Sequence, residues 1–156
     1  SRGLGDVYKR QGTVRGIHFA DVPPSQAKYI TVLSGSIIDF IVDIRVGSPT
    51  FGQWESVVLD TSERKAVYLA EGLGHAFCAL EDDSTAMYLC SAPYTPEREH
   101  GINPLDTTVG LTLPDDIEPL LSPKDEAAPS LAQAEASGLL PRYDDCVRFY
   151  DSLRSA

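Results

Sequence analysis

Residues 37–45, IIDFIVDIR, decide the fold. Apolar side chains recur at every second position, Ile38, Phe40, Val42 and Ile44, with Asp39 and Asp43 between them. Successive side chains leave a pleated backbone on opposite sides, so a period of two predicts a strand with one face in a core and the aspartates on the other. Turn-forming clusters punctuate the chain on either side: Pro23-Pro24, Ser34-Gly35, Gly47-Ser48-Pro49, Asp60 to Glu63, Gly72 to Gly74 and Asp82-Asp83. They cut Thr13 to Ser91 into short strands at the spacing of a sandwich or barrel. Parallel strands need long crossover connections, and these gaps leave no room for them. The expected architecture is all-β, an antiparallel jelly roll.

After Pro93 the texture becomes proline-rich and acidic, through YTPEREHGINPLD and LPDDIEPLLSPKDEAAP, which reads as ordered loop wrapping a scaffold. Short C-terminal helices follow. SLAQAEASG offers helix formers between a Ser130 N-cap and Gly138 at C′, and residues 142–154 form a second candidate after Pro141. At 156 residues and 42% hydrophobic content, the chain supports one core and one domain. No run approaches the roughly 18 apolar residues of a membrane span, and no signal-peptide pattern is present. Cys78, Cys90 and Cys146 form no C-x-x-C, and buried thiols in a reducing cytoplasm are the expected reading. The formal charge of -10 argues against a nucleic-acid surface, which clustered Lys and Arg would have to supply. It leaves room for an anionic small molecule held by a few local cations, for which Arg15 and Lys28 are the candidates.

Four polar residues sit inside apolar, strand-like runs: His18 in VRGIHFA, Lys28 in AKYITVL, His75 in GHAFCAL and Tyr88 in TAMYLC. Any one of them alone reads as a core residue with a satisfied hydrogen bond. Together they can converge in a closed barrel, and imidazole, ammonium and phenol are groups that move protons and steady an oxyanion. Alternation puts Lys28 with Ile30 and Val32, His75 with Phe77, and Tyr88 with Ala86 and Cys90. Along VRGIHFA, strict alternation sends Arg15 and His18 to opposite faces. Gly16 between them marks either a bulge that re-aims a side chain or a strand whose Arg15 reaches in from the rim.

Five blocks, VRGIHFADVPPSQAKYITVLSG, VDIRVGSPTFGQW, YLAEGLGHAF, MYLCSAPYTPEREHGI and LSPKDEAAP, in this order over Thr13 to Tyr143, resemble the dTDP-4-dehydrorhamnose 3,5-epimerase family, above all its actinobacterial members. The resemblance implies a cupin-like jelly-roll barrel assembled as a homodimer in the cytoplasm. It also implies cofactor-independent epimerisation of dTDP-4-keto-6-deoxy-D-glucose at C3 and C5 through an enolate, in dTDP-L-rhamnose or related deoxysugar biosynthesis. By the same resemblance His18 is the base, Asp125 the carboxylate that orients it, and Tyr88 the acid on the opposite face. Lys28, helped by His75, holds the C4 oxygen, while Arg15 and Tyr94 contact substrate. Pro93 stands where many relatives carry a second tyrosine, and Gly74 and Ala76 exchange the residues that usually flank the histidine.

Residues 1–11, SRGLGDVYKRQ, fit none of this pattern. They carry three of the 13 basic residues, lack a starting Met and show no apolar period. The run resembles translated sequencing-adapter read-through and is read as a foreign segment before a single domain over 12–156, the family's upstream substrate-contacting residues having no counterpart in it. Three histidines, His18, His75 and His100, invite a metal, but the His-x-His of a cupin metal strand is lacking and no metal is expected. A non-catalytic nucleotide-sugar-binding module would have lost a proton-transfer group, and His18, Tyr88 and Asp125 are all present. Epimerisation at C3 only or C5 only stays open. Phe51 and Trp54 are expected to cap the barrel.

Overall fold

The computed structural model describes residues 3–8 and 10–155, with side chains for Tyr8 and residues 10–155. Two antiparallel sheets face one another. The four-stranded sheet runs β1 (Gly3–Tyr8), β8 (Ser84–Cys90), β3 (Lys28–Ser34) and β6 (Ala66–Leu69). The five-stranded sheet runs β5 (Trp54–Asp60), β4 (Ser36–Val42), β7 (Gly74–Ala79), β2 (Val14–Ala20) and β9 (Glu99–Gly101). Each named strand pair is antiparallel. The arrangement is that of the expected jelly-roll barrel. The turn clusters read from the sequence fall between the strands.

The chain has two apolar layers, one on each side of the five-stranded sheet. Inside the barrel, Ile30 and Val32 of β3 and Ala86 of β8 meet Ile37 of β4, Leu59 of β5 and Phe77 and Ala79 of β7. On the far side, Ile17, Phe19, Phe40, Val42 and Ala76 are covered by Ile102, Val109, Leu131, Ala134 and Leu140 of the C-terminal wrap. The one-faced reading of IIDFIVDIR therefore needs correction. Its Ile38, Phe40, Val42 face packs under the wrap, and its aspartate face is buried too, with Asp39 fully enclosed in the barrel interior. Phe51 and Trp54 likewise pack against the wrap rather than cap the barrel, and the Trp54 indole N–H donates to the Val109 carbonyl at 3.0 Å.

Asp43 closes the loop that follows β4. Its carboxylate accepts from Arg45 at 2.9 and 2.8 Å, from Ser48 at 2.5 Å and from Thr50 at 2.6 Å. The Arg45 guanidinium then lies 5.0 Å from the centre of the Tyr143 ring, tying this loop to the last helix. That helix, α3 (Tyr143–Arg154), and α2 (Leu131–Ala136) lie where the sequence placed them. Ser130 caps α2 in a reciprocal capping box with Gln133, and Gly138 just beyond has φ +71°. A third helix, α1 (Pro123–Glu126), is a single turn that the proline-rich texture concealed. At the N-terminus, Gly3–Tyr8 pairs with β8 although its sequence shows no apolar period. The buried Tyr8 ring packs on Phe77 with centroids 4.5 Å apart.

Candidate active site

The barrel interior opens into a cavity of about 690 Å³, within the size range of small-molecule sites. Arg15, His18, Lys28, His75, Tyr88 and Tyr94 all line it. The sheets divide them. Arg15 and His18 on β2 and His75 on β7 form one wall, and Lys28 on β3 and Tyr88 on β8 form the other. His18 stands directly opposite His75 across the β2–β7 pair, while Lys28 and Tyr88 are diagonal neighbours, Lys28 facing Cys90 and Ile30 facing Tyr88. Tyr94 is on the exposed strap after β8, at the mouth.

Arg15 and His18 reach the same cavity because β2 is bulged. Arg15 pairs with Phe77 and His18 with His75, so three steps along β2 match two along β7. The extra residue reverses the parity that strict alternation imposed. Gly16 makes this possible at φ +111°, a conformation side-chain-bearing residues rarely adopt, and a Cβ there would meet the His75 carbonyl oxygen at 2.4 Å. The bulge anticipated at Gly16 is thus the device that assembles the wall.

Asp125 lies behind His18 and does not line the cavity itself. It is 2% exposed, and its Oδ1 is 2.6 Å from His18 Nε2. Burial pushes the Asp125 carboxyl up, but donors from His18, Ser122 and the Gly16 amide outweigh it and hold it below the usual carboxylate range. An ionised carboxylate only accepts, so the Asp125 contact places a proton on His18 Nε2, and in the neutral ring the lone pair is then on Nδ1. A neutral imidazole so oriented is a competent general base.

A second pair of the same kind escaped the sequence reading. His75 Nε2 lies 2.6 Å from Asp39 Oδ1. Asp39 is 0% exposed, and its Oδ2 has no hydrogen-bond partner among the described residues. The signal was available as an acid inside an apolar strand, but the period placed it on the face opposite the core. Phe77 and Cys90, which alternation put on the faces of His75 and Tyr88, also line the cavity, as does Glu99, which the sequence reading did not single out. His100 pairs with Asp21 at 2.7 Å, so each of the three histidines has its own carboxylate.

The dTDP-4-dehydrorhamnose 3,5-epimerase family model matches residues 6–133. A dTDP-4-dehydrorhamnose 3,5-epimerase of Mycolicibacterium smegmatis is 58% identical over 144 residues, covering 92% of this chain and 71% of the relative. A dTDP-4-dehydro-6-deoxyglucose 3-epimerase of Streptomyces bikiniensis is 56% identical over 137 residues, covering 88% and 70%. The crystal structure of a 3′-monoepimerase from Streptomyces bikiniensis in complex with dTDP-quinovose superposes with a TM-score of 0.97 at 49% identity, over 100% of this chain and 78% of that one. With the jelly roll and the two-walled cavity, these matches show that the chain belongs to the dTDP-4-dehydrorhamnose 3,5-epimerase family of carbohydrate epimerases.

Proposed function

We propose that the chain epimerises dTDP-4-keto-6-deoxy-D-glucose at C3 and C5 through an enolate, without a cofactor. The observation that carries this reading is the placement of an imidazole base and a phenol on opposite walls of one cavity, with an ammonium beside the phenol. Inverting a carbon next to a ketone requires removal of a proton from one face and return of a proton to the other. His18 takes the proton, with Asp125 fixing its tautomer and orientation. Negative charge then grows on the C4 oxygen, where Lys28 and His75 stabilise it. Tyr88 delivers a proton from the opposite wall, and a phenol does so without being charged beforehand. Arg15 and Tyr94 hold the nucleotide part of the substrate, Arg15 as a cation for phosphate and Tyr94 as an aromatic surface at the mouth.

The product follows from how many carbons exchange. Incubation with dTDP-4-keto-6-deoxyglucose in D₂O, read by NMR, should place deuterium at both C3 and C5. A second reading, epimerisation at C3 alone, draws on the relatives named as 3-epimerases at 56% and 57% identity. Deuterium at C3 only would decide for it. Binding of the dTDP-sugar with no exchange at either carbon would replace both with a non-catalytic binding module.

The chain is further proposed to act as a homodimer in the cytoplasm. Tyr29, Tyr68 and Leu89 form an exposed, uncharged row across β3, β6 and β8 on the outer face of the four-stranded sheet, which supports pairing through that face. Among the described residues no helix is long and apolar enough to cross a membrane.

A further inference from the structure

We propose that Ser122 is a positioning residue for the proton-transfer step, acting on His18 through Asp125. Ser122 is the N-cap of α1, and its hydroxyl oxygen accepts from the Asp125 amide at 3.1 Å. The same hydroxyl donates to Asp125 Oδ2 at 2.8 Å, the carboxylate oxygen that His18 does not use. A hydroxyl has one hydrogen and two lone pairs, so it can do both at once. The result is a chain of three side chains, Ser122 to Asp125 to His18, ending in the cavity.

The Gly16 amide, on the bulge that turns His18 into the cavity, adds a smaller pull in the same direction on the Asp125 carboxyl. Both Asp125 oxygens are thereby held, one by the imidazole and one by a hydroxyl, and each contact favours the ionised form. The look-alike pair lacks this grip, since Asp39 Oδ2 has no partner among the described residues. Ser122 thus distinguishes two otherwise similar histidine–carboxylate pairs and assigns the oriented, proton-accepting imidazole to His18. The spacing Ser-x-x-Asp in SPKD fits a helix start, a signal passed over in the proline-rich stretch, and its second role needs the fold.

This inference rests on His18 being the base, and the test separates the two. Ser122→Ala should lower kcat for exchange about tenfold with KM unchanged, the loss of a hydrogen bond to a charged group. The acid limb of the kcat/KM profile should move to higher pH, because one donor that holds the Asp125 carboxyl down is gone. Ser122→Gly, which keeps helix starts almost as well as serine, should behave the same. Ser122→Thr should restore both readings. In an Asp125→Asn background, Ser122→Ala should add no further loss. An unshifted pH profile with wild-type kcat in both hydroxyl-free variants would overturn the proposal, as would an equal loss in the Asp125→Asn background. Should His18→Asn keep wild-type exchange, the base assignment itself would fall, a result distinct from either of these.

Discussion

His18 and His75 face each other across one strand pair, each 2.6 Å from a buried carboxylate, yet the proposed chemistry gives them different tasks. The difference lies in what stands behind them. Asp125 is held by several donors and Asp39 by His75 alone among the described residues, which makes the first pair the better-ordered base. In the proposed chemistry Lys28 supplies the charge that an enolate needs, so Lys28→Met should cost about 10² to 10³ in kcat with the fold intact by circular dichroism. Gly16→Ala should lose both stability and activity, because the backbone is at φ +111° and the new Cβ would collide with the His75 carbonyl. A urea midpoint equal to wild type would contradict that. At this scale the sequence was legible where a polar residue interrupts an apolar strand, as at His18, Lys28, His75 and Tyr88. It was not legible at Asp39, because alternation identifies two faces without saying that the fold buries both.

The bulged β2 and the wrap decide more than any strand's propensity. Parity alone would have sent Arg15 out of the cavity, and only the three-against-two register around Gly16 brings it back. The wrap was readable as ordered loop from its prolines, but its partner surface, the Phe40 face of β4, was not, since non-local covering leaves no mark on local period. The Asp43 loop carries the clearest pH prediction. Burial pushes the Asp43 carboxyl up, but Arg45, Ser48 and Thr50 more than offset this and hold it well below the usual range. A depressed folded value means that the stability it lends is full above the unfolded value of about 4 and is lost as pH falls through the folded one. Asp43→Asn should therefore lower stability by about 3 kcal/mol at pH 7, the cost of breaking a buried ion pair. It should also flatten the decline below pH 4 in urea titrations. An unchanged acid slope would show that Asp43 does not set it.

For the whole molecule, the proposed chemistry gives the two sheets separate duties as walls, the base on one and the acid and the enolate-stabilising cation on the other. The four-stranded wall is exposed on its outer face, where Tyr68 is 67% accessible. Tyr68→Glu should leave the thermal midpoint of the isolated chain nearly unchanged and convert a dimer to a monomer by light scattering. A dimer that survives this change would place the interface elsewhere. The central claim is that protons move between the walls, and it is tested most directly by returning unreacted substrate from D₂O. In Tyr88→Phe, His18 still removes and returns hydrogen from its own face, so recovered substrate should carry deuterium at C3 with its configuration unchanged. In His18→Asn, recovered substrate should carry none. Deuterium in the substrate recovered from His18→Asn, at a rate near that of Tyr88→Phe, would contradict the account.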